Sequence, residues 1–259
     1  MNLQLTGKTA LVTGGSAGIG LAITRGLVAE GVTVTVPGRD AVKLNRVLGE
    51  FGNQIRTIVA DAGTAEGAAK IIAELPEVDI LVNNLGIYEP KPFAEIQDED
   101  WLRLFEVNVM SGVRLSRHYF PKMLNKNTGR VIFIASESGI MTPPEMIHYG
   151  MTKSAQLAIS RGMSELTKGT SVTVNTVMPG PTRSEGIVEF LQRMASNPGA
   201  SAEEAEREFF EKHRQSSLLQ RLIDDSEIAN LVVYLASPLS SATTGAAVRA
   251  EGGLLRSIV

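Results

Sequence analysis

Tyr149 and Lys153 stand four residues apart, in Tyr149-Gly150-Met151-Thr152-Lys153. On a helix that spacing puts a phenol and an ammonium on one face. A free phenol has a pKa of about 10 and is a weak base at neutral pH. A cation one turn away favours the phenolate, so Lys153 is expected to lower the Tyr149 pKa. Tyr88, Tyr119 and Tyr234 have no lysine at that spacing; Tyr119 and Tyr234 read as packing residues and Tyr88 as a candidate pocket wall. Ser136 ends an apolar run thirteen residues before Tyr149, within Ser136-Glu137-Ser138-Gly139. Asn83-Asn84-Leu85-Gly86 ends another such run, and Asn108 lies in the long helical pattern that follows it. A hydroxyl, a phenol, an ammonium and an amide brought together can polarise an oxygen and hand it a proton. His148, beside Tyr149, reads as a local hydrogen-bonding residue.

A second kind of chemistry follows the first apolar run. Thr9-Ala10-Leu11-Val12-Thr13 leads into Gly14-Gly15-Ser16-Ala17-Gly18-Ile19-Gly20, a G-x-x-x-G-x-G turn ahead of a helical pattern. Such a turn presents backbone N–H groups and the positive end of a helix to an anion, and no Cβ atom holds a phosphate away. The candidate cradle is Gly14, Ser16, Gly18, Ile19 and Gly20. The same residues fit G-x-S-x-G, the strand–turn–helix elbow of serine hydrolases, with Ser16 as nucleophile. That alternative needs an acid and a histidine from downstream, and its elbow would follow the first strand instead of a later one.

The elements that must position these residues alternate. Short apolar or β-branched runs at 9–13, 32–36, 55–60, 78–82, 130–135, 172–177 and 246–250 read as strands. Helical patterns at 19–30, 44–51, 65–75, 98–124, 149–166 and 226–235 separate most of them. Alternation of this kind implies a doubly wound parallel sheet of seven strands with helices on both faces, in a single domain spanning residues 1–259. Ligands of such sheets bind at the carboxyl ends of the strands, where the glycine turn, Asn83, Ser136 and Pro179-Gly180 all fall. Residues 181–217 break the rhythm with a long polar helical stretch. An insertion at that sheet edge is expected to act as a substrate lid, with a solvated helical excursion as the plainer alternative.

Composition removes several classes. Charged residues make up 20% and the net charge is −3, so no global basic field points to nucleic acid. No apolar run reaches the length of a membrane span. Zero cysteines exclude disulfides, thiolate metal sites and cysteine nucleophiles, and the three histidines, His118, His148 and His213, show no metal-ligand spacing. The opening residues carry no basic-then-apolar leader, so a cytoplasmic location is expected.

In this order the motifs make the whole chain resemble the short-chain dehydrogenase/reductase family. The TGxxxGxG pattern of the family stands at Thr13–Gly20, its NNAG at Asn83-Asn84-Leu85-Gly86 with Leu for Ala, and its PG segment at Pro179-Gly180-Pro181-Thr182-Arg183-Ser184. The resemblance implies a Rossmann-like fold and an oxidoreductase that interconverts a carbonyl compound and its alcohol by hydride transfer. It implies a catalytic tetrad of Asn108, Ser136, Tyr149 and Lys153. Tyr149 would act as acid and base, Ser136 would donate to the substrate oxygen, and Asn108 would hold a water that relays protons from Lys153. Asp61, Asn83, Gly86, Pro179, Gly180 and Thr182 would join Tyr149 and Lys153 in holding the cofactor; a cap on the next helix is the competing role for Asp61. The resemblance further implies a homotetramer and a small-molecule substrate, with no membrane or nucleic-acid partner. The alternatives are a catalytically silent nucleotide-binding regulator on the same fold and the serine hydrolase.

The end of the second strand bears on the cofactor. It reads Val36-Pro37-Gly38-Arg39-Asp40, with Gly38 where NAD enzymes carry an acid for the ribose 2′-hydroxyl. Arg39 can bind a 2′-phosphate bidentately, so NADP(H) is the expected cofactor. Asp40 and the absence of a basic residue at Ala17 keep NAD(H) possible. Leu85, Tyr88, Ser138, Ile140, Met141 and the insertion are candidate substrate contacts and suggest a mixed, mostly apolar pocket.

Overall fold

The structure, a computed structural model, describes residues 2–197 and 199–258. Met1 of the opening segment and Pro198 of the expected insertion fall outside these residues. Seven strands form one parallel sheet: β1 Thr9–Val12, β2 Thr33–Gly38, β3 Ile55–Val59, β4 Ile80–Asn83, β5 Gly129–Ile134, β6 Val172–Pro179 and β7 Ala247–Ala250. Their order is β3-β2-β1-β4-β5-β6-β7, so the chain reverses direction across the sheet between β1 and β4. The helices are α1 Gly18–Ala29, α2 Ala41–Phe51, α3 Ala65–Glu74, α4 Asp98–Phe105, α5 Ser111–Lys126, α6 Ile147–Glu165, α7 Glu185–Met194, α8 Ala202–His213 and α9 Asp225–Ala236.

Each strand feeds both faces, because side chains alternate along it. Ala10, Val12, Ile80, Val82, Ile132 and Ile134 join one core with α1, α2 and α9. Leu11, Leu81, Val131 and Phe133 join the opposite core with α3 and α5. Leu11 and Leu81 are fully buried, and truncating either to Ala should cost about 2–5 kcal/mol. Register aligns the strand ends that carry the candidate chemistry: Val12 lies opposite Val82, Asn83 opposite Phe133 and Ile134 opposite Val177.

Two local features depart from the sequence expectation. The helical pattern 98–124 is not one helix. After α4 the segment Glu106–Met110 opens into a wider π turn before α5 begins, and Asn108 sits inside it. The inserted stretch folds as α7 and α8. Leu191, Ala205, Phe209, Phe210 and Leu222 close a small apolar cluster of their own there, and Ser201 with Glu204 forms a capping box at the start of α8. Among the described residues no helix is long and apolar enough to cross a membrane.

Candidate active site

The aligned strand ends open into a cleft of about 400 Å³. One end is the glycine turn. Gly14 has φ +66°, a left-handed conformation that glycine adopts without strain. A Cβ on Gly20 would lie 2.2 Å from the Gly14 carbonyl oxygen, so this turn closes only with glycine there. The first turn of α1 holds no acidic residue, and its N-cap Ala17 supplies no capping side chain. Its N–H groups therefore stay available to a phosphate, and the cradle fits the pyrophosphate of a dinucleotide. Gly14, Ile19, Gly20, Gly86, Tyr149, Pro179, Gly180 and Thr182 line the cleft; Ser16 and Gly18 complete the turn beside it.

The four tetrad positions converge at the other end. Ser136 follows β5, and its hydroxyl donates to the Glu137 carboxylate while accepting from the Ser138 N–H at 3.1 Å. Tyr149 lies one turn before Lys153 on α6, and the Lys153 Nζ is 5.5 Å from its ring centre. Nζ donates to the Ile134 carbonyl at 3.0 Å and to Gln156 Oε1 at 3.1 Å. Asn108 Oδ1 accepts from the Ile87 N–H at 2.7 Å, and Nδ2 donates to the Ile87 carbonyl at 2.9 Å and to Thr152 Oγ1 at 3.0 Å. Gly86 packs over both groups; a Cβ there would lie 3.5 Å from Lys153 Nζ and 3.6 Å from Asn108 Oδ1.

Several expectations are corrected. Burial pushes the Tyr149 phenol up instead of down, and the Glu137 carboxylate adds to the rise. Burial also pushes Lys153 down to about 8. The Asn108 main-chain oxygen accepts from Gln156 Nε2 at 2.7 Å, and Gln156 Oε1 accepts from Lys153, so the Gln156 amide links Asn108 to Lys153. Asn83 does not line the cleft. Its Nδ2 donates to Ser116 Oγ on α5 at 3.1 Å, and Asn84 lines the cleft instead, donating to the Thr13 carbonyl at 2.9 Å. Thr64 caps α3, so the cap role falls away from Asp61, whose Oδ1 accepts from the Gly63 N–H. Ile140 and Met141 are exposed and outside the cleft lining, whereas Leu85, Tyr88 and Ser138 are in it. The Tyr88 ring meets Tyr149 edge-on at 6.2 Å. His148 is buried against Trp101, and neither ring nitrogen has a hydrogen-bond partner among the described residues.

At the adenosine end, Asp40 caps α2 and takes no part in an ion pair with Arg39. Arg39 instead lies 3.7 Å from Asp61, with 78% of its side chain exposed. Two charged groups that line the cleft were not singled out from the sequence as site residues. Glu137 is buried between Ser136 and Ser138, and Arg214 arrives from the end of α8. Arg214 crosses Phe209 at 5.2 Å and reaches Glu145 Oε1 at 3.4 Å. Ser184, Ile187, Phe190 and Phe209 complete the wall contributed by the insertion.

The family model for short chain dehydrogenases matches residues 8–194. The chain belongs to that family. It is 51% identical to the uncharacterized oxidoreductase YvaG of Bacillus subtilis over the full length of both. It is 32% identical to a 3-oxoacyl-[acyl-carrier-protein] reductase of Vibrio harveyi, covering 97% of this chain and 99% of the relative. Among solved structures, the L-sorbose reductase of Gluconobacter frateurii, complexed with NADPH and L-sorbose, superposes with a TM-score of 0.92 at 26% identity, all of both chains being covered. A putative NAD(P)-dependent gluconate 5-dehydrogenase of Beutenbergia cavernae with bound NADP superposes at 0.87, with 28% identity, over 99% of this chain and 100% of that one. This short-chain dehydrogenase is thus an NAD(P)-dependent oxidoreductase on a Rossmann-like, seven-stranded parallel sheet. Among the described residues Ser16 has no histidine partner: His118 meets the Pro76 carbonyl, His213 stacks on Phe209 and His148 is enclosed.

Proposed function

We propose that the protein reduces a ketone or aldehyde to its alcohol, with NADP(H) as the preferred cofactor. The observation that carries this reading is the meeting of Ser136, Tyr149, Lys153 and Asn108 at one end of a cleft whose other end is a phosphate-binding turn. When bound, the nicotinamide supplies the hydride. Tyr149 delivers the proton: its raised pKa keeps the phenol protonated at neutral pH, the state that reduction needs. The Ser136 hydroxyl turns from Glu137 to the substrate oxygen and stabilises the charge that grows there. Lys153, cationic below about 8, favours the phenolate left by proton transfer and would hold the ribose hydroxyls of the bound cofactor. Asn108 ties the π turn to the strand end and keeps α6 in place through Thr152.

Arg39 supports the NADP(H) preference. An exposed ion pair like the one with Asp61 contributes about 0–1 kcal/mol, so the guanidinium is easily drawn to a 2′-phosphate. NADPH in the Gluconobacter relative and NADP in the Beutenbergia relative agree with this choice. Residues 181–217 act as the substrate lid of a single-domain enzyme, with Ile187, Phe190, Phe209 and Arg214 facing the cleft. The enzyme works in the cytoplasm as a homotetramer. The deciding experiment mixes the protein with NADPH and a panel of ketones, ketoses and keto acids and follows nicotinamide absorbance. Oxidation of NADPH that depends on the carbonyl compound is expected. Binding of NADPH with no turnover on any member would favour a regulator instead.

A further inference from the structure

We propose that the natural substrate carries a hydroxyl on the carbon next to the carbonyl, and that Glu137 and Arg214 read this hydroxyl. The inference rests on the carbonyl-reductase reading and deepens it. Glu137 and Arg214 are two opposite charges in the wall of the same cleft, beside the serine that would meet the reacting oxygen. Both are nearly enclosed: Glu137 is 5% exposed and the Arg214 side chain 10%.

Neither charge is fully served by the protein. A carboxylate offers about four acceptor positions and a guanidinium five donors. The Glu137 carboxylate accepts from the Ser136 hydroxyl and, at 3.4 Å, from Ser138 Oγ; the Ser138 and Glu137 N–H groups add weaker support, yet burial still pushes the carboxyl up. Arg214 Nη1 donates to the His213 carbonyl at 2.8 Å and Nη2 reaches Glu145 at 3.4 Å; each Nη has a second N–H to offer, while Nε is enclosed and has no partner among the described residues. Burying such groups against an alkyl chain would strip them of water with nothing in return. A hydroxyl answers both at once, because it donates one hydrogen bond and accepts others. Donation to Glu137 relieves the buried carboxylate, and acceptance from Arg214 uses an idle donor.

Spacing selects the position of that hydroxyl. Ser136 and Glu137 are joined by a single hydrogen bond. The two oxygens of an α-hydroxy carbonyl are about 3 Å apart, the span of one hydrogen bond. A carbonyl oxygen on Ser136 therefore brings its neighbouring hydroxyl to Glu137 in register. Leu85, Ile187, Phe190 and the Tyr88 ring also line the cleft and take the carbon skeleton. The charged pair therefore sits in the kind of mixed, mostly apolar pocket that the sequence suggests. A net charge on the substrate is not required, since Arg214 already has Glu145 in contact and Glu137 nearby.

The test compares two ketones of the same shape, 1-hydroxy-2-butanone and 3-pentanone, by kcat/KM for NADPH oxidation. Sites that hydrogen-bond a substrate hydroxyl reject the analogue lacking it by as much as about 10⁴ to 10⁵, so the wild type should favour the hydroxyketone by roughly 10² or more. Glu137→Gln and Arg214→Met should each lower that ratio at least tenfold, about 1.4 kcal/mol of discrimination. NADPH binding checks that each variant is folded, and the wild-type ratio decides even if a variant fails. A wild-type ratio near one overturns the proposal. So does a ratio unchanged in both variants while their rates fall together, since that marks Glu137 as acting only through Ser136. If no ketone, ketose or keto acid drives NADPH oxidation, the carbonyl-reductase reading fails and takes this proposal with it.

Discussion

Burial moves Tyr149 and Lys153 in opposite directions because it disfavours the charged form of each. The consequence is an acid that stays protonated and a cation that loses its proton near 8. For reduction, kcat/KM should hold steady below that value and decline as pH rises through about 8, where Lys153 becomes neutral. Lys153→Arg should move the decline upward, because a guanidinium stays charged past pH 12. A wild-type profile that stays level across the alkaline range would show the lysine charge to be dispensable. Tyr149→Phe keeps the ring against Tyr88 and removes the proton. Its kcat should fall by about 10² to 10⁴ with NADPH binding retained, measured by turnover and by cofactor fluorescence. Arg39 is a separate matter, since it lies far from the proton chemistry. A charge-assisted contact with the 2′-phosphate is worth about 1.5–3 kcal/mol, or a roughly ten- to hundredfold preference for NADPH. Arg39→Ala should erase most of that preference and leave NADH kinetics nearly unchanged. A wild type that prefers NADH would refute the reading of this strand end.

The π turn at Glu106–Met110 does at the scale of an element what no single side chain does. A π bulge inserts a residue into a helix and turns its neighbours, and here it delivers Asn108 to the strand end after β4. Asn108→Ala would leave the half-buried Ile87 peptide without its two side-chain partners, while the Thr152 hydroxyl keeps its bond to the Tyr149 carbonyl; an unsatisfied buried group costs about 1–3 kcal/mol, and partial exposure lowers that here. The variant should unfold at lower denaturant concentration and lose activity together, whereas unchanged stability would mean that the bulge holds itself. This bulge was not legible in the sequence, because the apolar pattern 98–124 runs through it without a break. The strands, the parallel sheet and the meeting of Asn108, Ser136, Tyr149 and Lys153 at one sheet edge were legible, since hydrophobic runs and the order of motifs carry them directly. The choice of Asn83 over Asn84 was a failure of a different kind. Leu81 faces the core shared with α5, so the period of two sends Asn83 to the same face and leaves Asn84 for the cleft. Arg214 could not have been found that way. Its place in the cleft depends on how α7 and α8 pack, and no local pattern encodes that packing.

At the scale of the molecule, an exposed apolar patch on α4 bears on assembly. Leu102 and Phe105 lie three residues apart on the outer side of α4 and are 69% and 38% exposed. Phe93, on the turn before that helix, is exposed as well. Fully burying a side chain of this size contributes about 1.5–3 kcal/mol, so covering these residues is a substantial driving force for assembly. A two-fold axis presents the same patch from each copy, and a homotetramer repeats that contact. Sedimentation at micromolar concentration should therefore show a tetramer. Leu102→Glu should shift it to a smaller species, because each symmetric interface then receives two like charges where it had two apolar side chains. The fold of the subunit should survive, as Leu102 touches solvent and not the core, and an unchanged circular dichroism spectrum would verify this. If the wild type sediments as a stable monomer, the patch does not drive assembly. If the variant stays tetrameric, a different face of the molecule does so.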